Sequence, residues 1–357
     1  MKKESRITES EDKARLAILE LAHMMSVPMS LVAVIKMKVP EAIWEGGSNT
    51  PLSARQILHR IRPQGGGDAD NLERILRMLT SYDIFAEHFS ESGERKYSLT
   101  YIGKTLVPDS QGLSYAPYML QHHQEEFMRA WQLVGETVED PTIEPFKKAN
   151  GERVSSYYDR RADARDLFGE AMQGMSIPFM REMLEQFDGF EGVETLVDVG
   201  GNTGVCLQMI MSKFPSVRIG INFDLPHSLV SASKIPGVTN VGGSAFEFVP
   251  QGDAIFMKWV FVGWTDEECK KVFQHCYKAL PVNGKVIVCE PVVPELTDDS
   301  KRTRALLGGD IYVMSTYRTK GKHRTEKHYK DLASSAGFHF FRALYIDSYF
   351  GVLEFLK

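Results

Sequence analysis

The chain reads as an α/β protein. A doubly wound, Rossmann-like domain fills its C-terminal half, preceded by an α-helical part that contains a winged helix. Three observations predict this. The first is Leu196–Gly204, Leu-Val-Asp-Val-Gly-Gly-Asn-Thr-Gly: an apolar run, an acid and three glycines, then helical apolar spacing at Val205, Leu207, Met209, Ile210 and Met211. Strand, tight turn and helix in that order is the layout of a nucleotide-type cofactor site. The second is an apolar run from Arg218 to Phe223 that ends at Asp224. An acid about 20 positions past a glycine loop can accept hydrogen bonds from ribose hydroxyls. The third is the alternation of strand-like and helix-like segments from Gly192 onward.

The bulk properties agree. The 357 residues exceed what one core usually serves, so two domains are expected. A formal net charge of −5 gives no general attraction to nucleic acid or anionic membrane. No apolar run is read as reaching span length. The charged start, Met-Lys-Lys-Glu-Ser-Arg, leads into no apolar signal region, which argues for a cytosolic protein. Cys206, Cys269, Cys276 and Cys289 form no C-x-x-C pair and read as reduced, buried thiols. No spacing suggests a metal site.

Taken in order, residues 1 to about 10 are polar and expected to be disordered. Glu11 to Trp44 is a strongly apolar helical region that Pro28 and Pro40 break into two or three helices. Its apolar surface exceeds what a small domain hides, which points to a homodimer. Residues 51–106 read as a winged helix: a helix after Ser53, a glycine loop at 65–67, an amphipathic helix from Asn71 to Tyr82 with Leu72, Ile75, Leu76, Met78 and Leu79 inward, and two strands around Glu91–Glu94. Acidic residues around the second helix and at the wing tip argue against DNA binding. Residues 110–190 are helical, with Pro141–Gly151 a loop and Asp163–Phe187 a helix.

In the last part, strands are expected at 195–199, 218–223, 238–242, 253–258, 284–290, 338–346 and 350–356. Helices are expected at 204–214, 226–234, 266–280 and 325–336. Ligands of such sheets sit at the carboxyl ends of the strands. That rim would hold Gly200, Asp224, Ser244, Lys258 and Glu290. No Gly-Lys-Ser/Thr follows the glycines, so an ATP-type P-loop is absent. The glycine turn opens the final domain behind an all-helical cap, which favours S-adenosylmethionine over a redox dinucleotide.

Leu196-Val-Asp-Val-Gly-Gly, Gly220-Ile-Asn-Phe-Asp-Leu-Pro-His, Asp253-Ala-Ile-Phe-Met-Lys-Trp and Ala279-Leu-Pro-Val-Asn-Gly-Lys-Val-Ile-Val resemble the plant small-molecule methyltransferases of the caffeic acid type. The resemblance covers essentially the whole chain. It implies a dimerisation domain over 1–110, a substrate-lining helical linker over 111–190, and an S-adenosylmethionine-dependent catalytic domain over 191–357. It implies cofactor contacts from Ser176, Gly200, Gly201, Gly204, Asp224, Ser244 and Lys258. Two positions depart: Asn202 stands in the middle of the glycine turn, and Ser244 stands where an acid is usual.

The phenol-methylating relatives carry a His-Asp pair after Met-Lys-Trp; here Val262 and Gly263 stand there. A phenol has a pKa near ~10 and needs a base to attack at neutral pH. Valine cannot take a proton. His323 replaces a second supporting acid, and Glu290 alone of that set is kept. A pyridine nitrogen has an in-plane lone pair and needs no base. Val27–Leu31, Asn71–Tyr82, Leu120–Glu125, Thr303–Ile311 and Tyr317–Glu326 are similar to the branch of the family that methylates a pyridine nitrogen. This implies nicotinate as acceptor and trigonelline as product. Its pocket would take Tyr118, His122, His123, Gln124, Met172, Glu290, Met314, Arg318 and His323, with the Arg318 guanidinium suited to a planar carboxylate. Two other readings stay open: an O-methyltransferase for a readily ionised hydroxyl, and a catalytically silent dimeric homologue.

Overall fold

The computed structural model describes residues 8–232 and 234–357. The chain divides into two compact units, one made of residues up to Gln124 with Ala162–Met175, the other of Glu125–Arg161 with Ser176–Lys357.

The first unit opens on three helices, Glu9–His23, Ser26–Lys36 and Val39–Ile43. Residues 1–7 of the segment expected to be disordered lie outside the described residues. Residues 9 and 10 are helical, because Thr8 and Glu11 form a capping box, a device worth about 1 kcal/mol. The two prolines do not break helices but begin them, in the first turns of the second and third, where a missing N–H costs nothing. The helical stretch Glu9–Lys36 is long and apolar enough to cross a membrane by length and composition alone, which corrects the expectation that no such run exists. Leu16, Ile18, Leu21 and Met25 are exposed on it.

The winged helix follows. Ser53 caps Ala54–Ile61 through a box with Gln56. Asp68 caps Ala69–Thr80. Strands β1 (Phe85–Phe89) and β2 (Arg95–Leu99) pair antiparallel, Phe85 facing Leu99. Leu72, Leu76 and Leu79 are buried with Ile57 and Tyr97, while Ile75 and Met78 are only half-buried.

The second unit carries the sheet. Its strands are β3 (Thr195–Val199), β4 (Ile219–Asp224), β5 (Val238–Gly242), β6 (Ala254–Lys258), β7 (Lys285–Val293), β8 (Arg324–Thr325), β9 (Phe340–Tyr345) and β10 (Phe350–Leu356). The order is β5-β4-β3-β6-β7-β10-β9, with β8 pairing beside β7. β5 to β7 run parallel, and β10 is antiparallel to both its neighbours. The order reverses between β3 and β6, and the carboxyl ends of these two strands form the crevice where such sheets bind ligands.

Three helical assignments need correction. Pro145–Asn150 is a helix, closed by Gly151 in the left-handed conformation, not a loop. The helix expected at 226–234 is only a short 3-10 turn, Ser228–Ser231. Lys301–Thr316 is a helix that periodicity does not reveal. Gly308 and Gly309 sit in its middle, each costing about 1 kcal/mol, and its buried residues include Thr303, Ser315 and Thr316 as well as Leu306 and Val313. Tertiary packing overrides its weak local signal.

Candidate active site

The glycine turn is a backbone cradle. Gly200 has φ +78, and a Cβ there would lie 2.5 Å from Val260 Cγ1. A Cβ on Gly201 would lie 2.3 Å from Asn222 Oδ1 and 2.6 Å from Asp198 Oδ2. Gly204, φ +83, begins the helix Val205–Lys213. No side chain fits these places. Asn202, in the middle of the turn, also takes a positive φ of 49°, which Asn tolerates better than most residues. It is held at both ends from β4: its N–H donates to Asp224 Oδ2 at 3.0 Å, and Asn222 Nδ2 donates to its carbonyl at 3.0 Å. The departure from glycine therefore keeps the turn's shape.

Asp224 stands at the end of β4. Its Oδ2 accepts from Asn202 and its Oδ1 from the Leu225 amide at 2.7 Å. Each carboxylate oxygen can take a second donor, so hydroxyl groups can still be bound. Ser244 follows β5, and its Oγ accepts from the Phe246 amide at 3.3 Å. Lys258 ends β6, donates to Ser176 Oγ at 2.6 Å and lies 5.2 Å from the centres of the Trp259 and Phe350 rings.

Two buried carboxyl groups sit under this rim. Asp198 is 2% exposed and its Oδ2 has no hydrogen-bond partner. Burial, and then the nearby Asp224 charge, raise its pKa to about 7. Sequence reading placed Asp198 inside the motif but gave it no role; its spacing two residues before the glycines was the available signal. Glu290, in β7, is fully buried. Its Oε1 accepts from the Val260 and Phe261 amides, both at 2.7 Å. Its Oε2 has no hydrogen-bond partner, and burial pushes its pKa up to about 7.

The turn after β6 carries the two departures. Trp259 adopts φ +58, and Phe261–Gly263 is a 3-10 turn. Val262 is buried at 8% exposure, and a Cβ on Gly263 would meet nothing within 4 Å. No residue from 259 to 264 is titratable.

Of the remaining positions, Met314 accepts a weak contact from Thr137 Oγ1 at 3.8 Å. Arg318 is not an uncompensated cation: its Nη1 donates to Glu268 Oε1 and Oε2 at 2.9 and 2.8 Å. Both bonds use one nitrogen, so Nε and Nη2 keep donors for a carboxylate. Glu268, which partly neutralises Arg318, was not foreseen, since 50 residues separate them. His323 is 5% exposed, with Nδ1 2.9 Å from the Leu306 carbonyl. Burial lowers its pKa to about 4, so it is neutral.

The other expected pocket residues belong to the first unit. His122 and His123 place Nδ1 2.8 Å from the carbonyls of Tyr118 and Met119. A carbonyl only accepts, so each Nδ1 carries the proton and Nε2 is an acceptor until the ring is protonated. Burial lowers the pKa of His122 to about 4. Tyr118 packs against His122 with ring centres 4.0 Å apart and planes tilted by 44°. Gln124 and Met172 are half-buried. Among the described residues no cluster of three metal-ligating side chains exists.

A parallel sheet with a glycine cradle at its switch point, a carboxylate on the neighbouring strand and an antiparallel strand inserted beyond β7 defines a nucleoside-cofactor-binding protein. Residues 131–339 match the model of the O-methyltransferase domain, and residues 19–109 match that of the O-methyltransferase dimerisation domain. The chain belongs to the O-methyltransferase family. It is 61% identical to nicotinate N-methyltransferase 1 of Glycine max, over 98% of both chains. It is 58% identical to nicotinate N-methyltransferase 1 of Arabidopsis thaliana, covering 99% of this chain and all of that one. Human N-acetylserotonin methyltransferase, solved with S-adenosylmethionine, shares the fold at a TM-score of 0.80, 20% identity and coverage of 98% and 99%.

Proposed function

We propose that the protein transfers a methyl group from S-adenosylmethionine to the ring nitrogen of nicotinate, giving trigonelline and S-adenosylhomocysteine. The observation that carries this reading is the turn after β6: an apolar, buried Val262 where a base would stand, with no titratable neighbour from 259 to 264. The turn itself offers no side chain to deprotonate a phenol oxygen; a pyridine nitrogen has no proton to lose. The likeness to the two nicotinate N-methyltransferases supports the same acceptor.

The residues present fit the cofactor. Gly200, Gly201 and Gly204 admit backbone approach, Asp198 Oδ2 is a buried acceptor with no partner, and Asp224 keeps lone pairs for ribose hydroxyls. Ser244 would hold the adenine, and Ser176 and Lys258 would hold the methionine end. When bound, the cofactor supplies an electrophilic sulfonium methyl. The chain's own residues then position the acceptor, a contribution worth about 7–11 kcal/mol in well-oriented reactions. Arg318, through Nε and Nη2, holds the carboxylate. Met314 and His323, in the same unit as the glycine cradle, line the acceptor site. Leu16, Ile18, Leu21 and Met25, exposed on Glu9–Lys36, pack against a second copy of the chain in the cytosol, in keeping with the match to a dimerisation domain.

Labelled S-adenosylmethionine offered with nicotinate and, separately, with caffeate tests the reading. Label in N-methylnicotinate is expected. Label only in caffeate would establish an O-methyltransferase, and no transfer with no cofactor binding by calorimetry would establish a silent homologue.

A further inference from the structure

Two segments carry the departures from the phenol-methylating pattern: the turn 259–264 with Val262, and the segment 318–324 with Arg318 and His323. They are 50 or more residues apart in sequence, yet one buried side chain joins them. Arg324 has no exposed side-chain surface. Its Nη1 donates to the Phe261 carbonyl at 2.9 Å and to the Lys322 carbonyl at 3.3 Å, and its Nη2 donates to the Trp264 carbonyl at 2.6 Å. Its Nε donates to Asp266 Oδ1 at 2.9 Å, which balances the charge. The planar fork thus grips two carbonyls of one segment and one of the other.

The turn is held from its other side as well. Glu290 Oε1 takes the amide N–H groups of Val260 and Phe261. The turn starts with Trp259 in the left-handed region, a conformation a bulky residue keeps only where its surroundings impose it. A second contact locks the two segments together. A Cβ on Gly321 would lie 2.7 Å from the Val262 carbonyl, so the substrate-side loop lies directly against the base-less turn.

We propose that Arg324 is a positioning residue for methyl transfer: with Glu290 it clamps the turn that carries Val262, and with Gly321 it docks the Arg318–His323 segment on that turn. This rests on the reading that both segments face the methyl acceptor. It needs no proton transfer, and it explains why an acid kept without its imidazole partner still has a function. Where chemistry depends on placement alone, a shift of about 1 Å can cost about 100-fold in rate. A lysine at 324 keeps the charge but has no planar fork and cannot hold all the carbonyls in place.

The test compares wild type with Arg324→Lys, Arg324→Met and Gly321→Ala. Turnover is measured with whichever of nicotinate or caffeate the wild type methylates, beside S-adenosylhomocysteine affinity by calorimetry, thermal midpoint and amide hydrogen exchange. We expect kcat to fall about 100-fold in Arg324→Lys and further in Arg324→Met, with product affinity within about threefold. Amide exchange should quicken together at 260–264 and 319–323. In Gly321→Ala the added Cβ forces the two segments apart, so kcat and the thermal midpoint should both fall while product affinity stays within about threefold. Unchanged kcat in Arg324→Lys with only a lowered midpoint would overturn the proposal, as would faster exchange confined to one segment. If the wild type methylates neither acceptor, the functional reading fails, and the exchange pattern still decides whether the two segments are clamped together.

Discussion

The glycine turn after β3 and the 3-10 turn after β6 sit on adjacent strands, and each departs from the pattern of the family. Their departures have opposite consequences. In the glycine turn, Asn202 replaces glycine and the backbone keeps φ +49, because Asp224 and Asn222 fasten its two peptide groups. In the second turn the backbone is held by Glu290 and Arg324, but Val262 leaves the turn itself without a side chain that could take a proton. A position whose work is done by the backbone tolerates a change of side chain. A position whose work was done by the side chain changes its chemistry instead.

The comparison can be broken most sharply at the glycine cradle. Gly201→Ala places a Cβ 2.3 Å from Asn222 Oδ1 and 2.6 Å from Asp198 Oδ2. S-adenosylhomocysteine affinity by calorimetry should fall by 100-fold or more, on the order of 3 kcal/mol. An affinity within threefold of wild type would show that backbone shape is not the turn's function.

The second turn is sharpened by restoring what it lacks. Val262→His with Gly263→Asp restores an imidazole to the turn whose 260 and 261 amides Glu290 holds, and open space at 263 accepts the new side chain. Turnover of a catechol acceptor should rise by about 100-fold, the lower range of general-base assistance. Nicotinate turnover should not rise. A large gain with nicotinate would contradict a base-free reaction.

A smaller effect is expected at Arg318. Arg318→Ala removes a charged hydrogen bond worth about 1.5–3 kcal/mol, of which Glu268 already screens part. The nicotinate KM should rise about tenfold with kcat little changed; an unchanged KM would remove Arg318 from the acceptor site.

The buried carboxyl under the cradle gives a pH signature. The pKa of Asp198 is raised in the folded state, to about 7 from the usual 3.8. A raised acid stabilises the fold below its unfolded pKa, and that contribution is lost as pH rises through the folded value. Asp198→Asn should therefore gain thermal stability relative to wild type between about pH 4 and pH 7, and keep the gain above. A pH-independent difference in midpoint would refute this. The smallest change is expected from Asn202→Gly: cofactor affinity should stay within about threefold, since the turn already has the glycine conformation.

Much of this was legible in the residues. Strands β3 to β7, β9 and β10 were placed within a few residues: the inner strands are short apolar runs bounded by turn residues, and the edge strands β5 and β9, although not buried, are bounded by turn residues as well. The glycine turn, Asp224 and the missing base were visible as local patterns. The helix Lys301–Thr316 was not, because paired glycines and buried polar groups hide its periodicity. The partners of Arg318 and Arg324 were invisible for a different reason. Glu268 and Asp266 lie 50 and 58 residues away, and an ion pair across that distance leaves no periodic trace.

The sequence by itself determined the class of fold, the kind of cofactor and the absence of a base, since each depends on residue type within a short window. Only the tertiary structure decided that Asn202 keeps the glycine geometry, that Asp198 and Glu290 are buried with unpartnered oxygens, and that Arg324 joins the two altered segments. Those are properties of groups brought together by packing, and burial and partnership exist only once the chain has folded.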